Sequence, residues 1–233
     1  MIPSLSSLVE LLPLVVLGAV LGLDTVSFPQ AQLSRPIVAA TLGGAFAGEA
    51  MAGLFVGAAL ELIALETLPF GASRYPEWGS ASVVGGALYA AEPPSAGAMT
   101  CAVVAALVTA WVGGASMVML RKLNARWARP RLARLAAGSR STVEGLQLAG
   151  LNADLVRGAA LTLAALAVLG PVMSMALARW SVDGRFSRAV VVGTAASVAV
   201  GAVWKIFHTT DGARWFLLGG AALGLVLARM IPS

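Results

Sequence analysis

The stretch LELIALETLPFGASRYPEWG, residues 60–79, sets two carboxylates, Glu61 and Glu66, inside an apolar run that then breaks into Gly, Pro and aromatic residues. An ionised acid at bilayer depth costs about 3 kcal/mol or more unless it is paired, protonated or turned toward a cavity, so such a residue marks a functional site by default. Glu61 is the deeper of the two by position in the run. Glu66 follows five residues later, which on a helix is about 140° around the axis, so the two acids do not share a face and call for different explanations. Glu61 is suited to accept hydrogen bonds from a polar substrate. Glu66, close to the break at Pro69, reads as a rim residue.

The rest of the chain supplies the bilayer that this reading assumes. Of its 233 residues, 58% are hydrophobic and 12% charged, against about 25% charged in soluble domains. Several apolar stretches approach the roughly 20 residues a helix needs to cross the hydrocarbon core. The first basic residue is Arg35, so the segment Leu8 to Leu23 lacks the positive start of a secretory signal and is read as a first span. The single cysteine, Cys101, makes no intrachain disulfide. The stretch RKLNARWARPRLARLAAGSR, residues 121–140, holds seven Arg or Lys and no acid, leaving nine basic against eleven acidic residues elsewhere. A basic cluster between apolar segments is the signal that fixes a connection on the cytoplasmic side. Nucleic-acid binding is the other use of such a run, but between membrane spans it is not expected; anionic lipid headgroups are a natural neighbour.

The pattern predicts an all-α polytopic membrane protein forming a single membrane-embedded domain over 1–233. It has about six or seven transmembrane helices, one or two re-entrant hairpins and an interfacial amphipathic helix. Residues 1–120 hold the N-terminal spans and the re-entrant hairpin, 121–157 the basic cytoplasmic loop and interfacial helix, and 158–233 the C-terminal spans. After the first span, DTVSFPQAQLSRP carries Pro29 and Pro36 and reads as broken backbone. Two short apolar pieces follow, Ile37 to Gly48 and Ala50 to Leu65, each too short to cross the core alone, so a hairpin of half-length helices fits better than two full spans. A single tilted helix through Glu49 is the competing reading. Gly44 with Gly48, and Gly53 with Gly57, form G-x-x-x-G pairs that suit close backbone packing. A clear span runs from about Ala98 to Leu120. Ser141 three residues before Glu144 has capping-box spacing, and Leu148, Leu151, Leu155 and Val156 give the following segment one apolar face while Gln147, Asn152 and Asp154 make the other polar, as suits a helix at the membrane interface. Spans at about Ala159 to Leu177, Ala189 to Phe207 and Trp215 to Met230 close the chain.

Enzyme signatures are missing: there is no H-E-x-x-H, no phosphate-cradling G-x-x-x-x-G-K-[ST] and no G-x-S-x-G. His208 is the only histidine and there is no cysteine pair, so neither a metal site nor a cofactor is expected. Gln32 lies in the broken segment and offers both donors and acceptors, as sugar hydroxyls do. Irregular backbone is tolerated at membrane depth where it lines a cavity. Gln32 and Glu61 are therefore the first candidates for substrate contact, with Glu77 and Asp24 behind them. Tyr75, Trp78, Trp204 and Trp215 read as interfacial belt residues, with stacking on a sugar the alternative for Tyr75 or Trp78.

Residues 33–82, from LSRPIVAATLGG through GEAMAGLFVGAALELIALETLPFGASRYPEWGSAS, resemble the N-terminal half of the membrane subunit IIC of the mannose/fructose/sorbose-type phosphotransferase system. The resemblance rests on Gln32 three residues before Arg35-Pro36, the Gly-rich stretch, Leu60 to Leu65 with Glu61, Gly71-Ala72, and Pro76-Glu77. It implies a multi-pass sugar-translocating subunit of the bacterial inner membrane, itself not an enzyme, which works with a second membrane subunit, IID, and is a homo-oligomer within the complex. Cytoplasmic IIA and IIB subunits then relay phosphate to a hexose or related sugar as it arrives. A transport-inactive assembly or regulatory subunit, and an ion-coupled secondary transporter using Glu61 or Glu66, are the alternatives.

Overall fold

The computed structural model describes residues 9–25, 27–65, 75–180 and 182–230, and every regular element among them is helical. In chain order these are α1 (Leu12–Asp24), α2 (Pro36–Phe46), α3 (Ala50–Ala64), α4 (Trp78–Ala90), α5 (Ala96–Ala128), α6 (Leu132–Ala136), α7 (Arg140–Leu177), α8 (Gly184–Phe207) and α9 (Ala213–Met230), with a 3₁₀ turn at Arg129–Arg131 between α5 and α6. Glu66 and the Gly71-Ala72 pair lie outside the described residues.

Helix α4 is the centre. It packs against α1, α2, α3, α5 and α7, and each residue from Trp78 to Tyr89 is buried. Its sequence, WGSASVVGGALYA, explains how one helix accommodates five neighbours: small residues leave no bulk to hold other backbones away. A methyl placed on Gly86 would sit 2.1 Å from the Ala40 carbonyl oxygen, and one on Gly79 2.2 Å from that of Leu21. Backbones therefore touch at these points.

The half-length pieces fold back on each other as expected. α2 and α3 lie side by side, joined at Gly48, whose φ of 100° suits a residue without a side chain. The glycines divide differently from the G-x-x-x-G pairing, however. Gly44 faces Gly53 across the hairpin, and Gly57 faces Pro36 and Ile37, while a methyl on Gly48 would meet nothing within 4 Å. Gly48 serves the turn and the other three serve the packing.

Among the described residues two helical stretches are long and apolar enough to cross a membrane, one over Ala96–Ala136 and one over Arg140–Leu177. Their outward faces carry apolar side chains in stripes: Val104, Val108, Trp111 and Val112 on α5, and Val168, Val172 and Met175 on α7, are all more than a third exposed. A face of that kind is what lipid covers and water does not. α9 packs on α8 and leaves Trp215 and Phe216 outward.

Four expectations change. The basic segment is largely helix, because Arg, Lys, Leu and Ala are good helix formers and nothing interrupts α5 before Pro130. The amphipathic segment is not a separate interfacial helix; it is the first half of α7, which runs 38 residues, about 57 Å, without a break. Its capping box does not form: the N-cap is Ser139, which makes no side-chain cap bond, and Glu144 instead pairs with Arg140 at 2.6 Å. Trp78, read as a belt residue, is a core residue at 8% exposure, drawn in by its place at the head of α4.

Replacing Gly86 by Leu forces α2 and α4 apart and lowers stability in detergent by about 1–3 kcal/mol or more. Gly145→Ala, on the exposed side of α7 where a methyl meets nothing, is expected to leave stability unchanged or raise it by up to about 1 kcal/mol. Thermal unfolding of the two variants beside the parent reads both effects.

Candidate functional site

The segment leading into α2, residues 27–35, is irregular, with a cis bond at Phe28-Pro29 and left-handed backbone at Gln30 and Gln32. Such a segment cannot satisfy its own N–H groups by helix bonding, and carboxylates do it instead. Asp24, 2% exposed at the end of α1, accepts from the Ala31 N–H at 2.6 Å and the Ser34 N–H at 2.9 Å. The Ser27 hydroxyl donates to Asp154 Oδ2 on α7. At the far end the Arg35 N–H donates to the Gln32 carbonyl at 3.2 Å, and the Arg35 guanidinium pairs with Glu61. The Gln32 side chain is left on the exposed side of a loop fixed at both ends.

Glu61 now has a local reason to exist. α2 starts at Pro36 with no side-chain cap from its own N-cap residue, Arg35. Glu61 Oε2, on the neighbouring arm of the hairpin, accepts the Ile37 N–H at 3.2 Å, which places negative charge at the positive end of α2. The Glu61 side chain is 16% exposed. A carboxylate has about four acceptor positions, and its bonds to Arg35 and Ile37 occupy two of them.

Glu77 is enclosed completely, at 0% exposure. It is the N-cap of α4: Oε1 accepts the Ser80 N–H at 3.1 Å, and its own N–H donates to the Ala110 carbonyl of α5 at 2.9 Å. The Tyr75–Glu77 segment lies against α5 because Gly113 and Gly114 make room for it; a methyl on Gly114 would be 2.3 Å from the Tyr75 carbonyl oxygen.

Beside Glu77 lies a charge pair that sequence reasoning missed. Asp154, 0% exposed, takes a 2.8 Å bond from Arg157 Nε, and Arg157 Nη1 reaches the Ser116 hydroxyl at 3.2 Å. The sequence pattern sets Asp154 on the polar face of an amphipathic helix, whereas the fold buries it. The available signal was an acid and a base at i, i+3 running directly into an apolar span, followed by Gly158, where a methyl would sit 3.0 Å from Ala19 Cα. That glycine brings α1 onto α7 and buries the pair. Glu77 Oε2 and Arg157 Nη2 are buried and have no hydrogen-bond partner among the described residues. Both side chains crowd Gly22, where a methyl would lie 2.6 Å from Ser80 Oγ, 3.5 Å from Glu77 Oε1 and 3.6 Å from Arg157 Nη2.

Of the four sequence candidates, Gln32, Asp24 and Glu61 are therefore tied to one loop, and Glu77 sits in an adjoining buried cluster. No group of three or more His, Cys, Asp or Glu able to hold a metal occurs among the described residues.

Comparison with known proteins agrees with this architecture. A family model described as the PTS system sorbose-specific IIC component matches residues 8–219. A solved structure titled "Structure of membrane protein" superimposes with a TM-score of 0.74 at 19% identity, covering 95% of this chain and 93% of that one. The structure titled "CryoEM Structure of Mannose Transporter ManYZ and Microcin E492 (MceA) complex" gives a TM-score of 0.60 at 18% identity, covering 97% and 88%. No curated protein sequence matches the chain.

Arg157→Ala leaves Asp154 buried without its cation, for which a loss of about 3–5 kcal/mol is expected. Adding Asp154→Ala to the same chain restores part of the loss. Unfolding of the single and double variants in detergent measures the coupling, and additive losses contradict it.

Proposed function

The chain belongs to the sorbose-specific IIC family, the sugar-specific membrane component of the phosphotransferase system, and from that premise we propose that its sugar is met at the loop between α1 and α2, with Gln32 and Glu61 as the contacting side chains. One observation carries this reading. Gln32 stands exposed on a strained, left-handed backbone, in a loop tied through Arg35 to a carboxylate that keeps acceptor capacity to spare. A left-handed non-glycine residue is costly and persists where the surroundings over-determine it. Here Asp24 and Glu61 do so.

A sugar hydroxyl both donates and accepts. Gln32 answers both needs with its amide, and Glu61, paired with Arg35, accepts a donated hydroxyl. Asp24 and Glu77 act behind the contact: the first fixes the loop's N–H groups, and the second holds the start of α4 on which α1 rests. Transport then needs only binding and exposure on alternate sides of the membrane. The phosphoryl chemistry belongs to IIA and IIB partners on the cytoplasmic side, delivered to a hexose or related sugar, and IID is the membrane partner. The protein itself performs no catalysis and sits as a multi-pass subunit in the bacterial inner membrane, with the basic end of α5 and α7 inward.

Binding of radiolabelled hexoses to the purified chain, alone and with its membrane partner, tests the assignment. Gln32→Ala is expected to weaken binding by about tenfold without altering thermal stability, the loss of one hydrogen bond. Glu61→Gln weakens it by a similar factor or more. Undiminished binding by both folded variants contradicts the site.

A further inference from the structure

Between the basic end of α5 and residues 149–160 of α7 runs a groove of about 890 Å³ that the sugar reading does not use. We propose that it holds one anionic glycerophospholipid, its phosphate between Lys122 and Arg126 and its acyl chain along Met119, Leu123 and Val156.

The groove is two-ended in chemistry. At one end Lys122 and Arg126 are exposed and stand four residues apart on the same face of α5. Toward the other end the walls are mostly apolar, with Met119 and Val156 among the most exposed hydrophobic side chains of their helices and the hydrogen-bonded Arg157 and Ser116 the polar groups beside them. Trp127, half-buried, closes the charged end, where an indole favours the headgroup level. Cations above and hydrocarbon below, along two membrane-spanning helices, match an amphiphile with a negative head lying along the membrane normal. An acidic soluble protein would meet the cations, but it would leave the apolar walls empty. No acid among the described residues lines the groove to oppose an anion, and Asp154 on α7 is buried behind it against Arg157.

Thermal unfolding in lipid nanodiscs tests the proposal. The parent is expected to melt roughly 4–8 °C higher with phosphatidylglycerol present than in phosphatidylcholine alone. Lys122→Gln/Arg126→Gln abolishes that rise. So does Val156→Trp, which fills the apolar part and removes no charge. Arg131→Gln/Arg134→Gln removes two charges from the separate cavity beside Ser141 and Thr142, and it is expected to keep the rise. Equal loss in that second pair overturns the site in favour of diffuse surface charge. Absence of any rise in the parent overturns it as well. The same rise produced by inorganic phosphate or a polyglutamate peptide in phosphatidylcholine discs assigns the cations to a free anion or an acidic protein and also overturns it.

Discussion

Backbone N–H groups that leave a helix inside a membrane protein have no water to turn to, and each left unsatisfied costs several times the net worth of an ordinary hydrogen bond. This fold breaks its backbone repeatedly and answers three of those breaks with a carboxylate. Asp24 takes two N–H groups of the loop after α1, Glu61 takes the first turn of α2, and Glu77 takes the first turn of α4. Three acids in a chain with few charges are thus accounted for by three short or interrupted elements.

The same arrangement turns a packing problem into a frame for a site. α4 starts deep enough that its first residue is buried, so Glu77 has to be enclosed with it. Enclosing Glu77 beside Asp154 and Arg157 ties α4 to α7, and Ser27 on Asp154 ties the loop to both. The small residues of α1, α2 and α4 let these backbones approach closely enough for the polar bonds to form. Gln32 is held by its neighbours while its own side chain remains outward.

How much of this was legible depended on how local the signal was. The α2–α3 hairpin followed from the lengths of two apolar pieces, and the long spans from hydropathy. Glu61 was marked by its cost in lipid, but its role as the cap of a neighbouring helix depends on a fold-back that composition does not specify. Asp154 was read on the wrong side of its helix because an i, i+3 charge pair next to polar residues looks the same in lipid-facing and core-facing registers; Gly158 and its contact with α1 decide between them. The basic segment was read as a loop from its charge, although charge and helix are compatible and only Pro130 ends α5. Trp78 likewise followed a residue-type rule that its position at the head of a buried helix overrides.

The central claim is that carboxylates spent on broken backbone hold one loop ready for a sugar. A cryo-electron microscopy map of the protein with its membrane partner and a bound hexose examines it most directly. The account predicts sugar density within hydrogen-bonding distance of both Gln32 and Glu61, with Asp24 still bonded to the loop. Sugar density on another face, with position 32 turned into lipid, would contradict it.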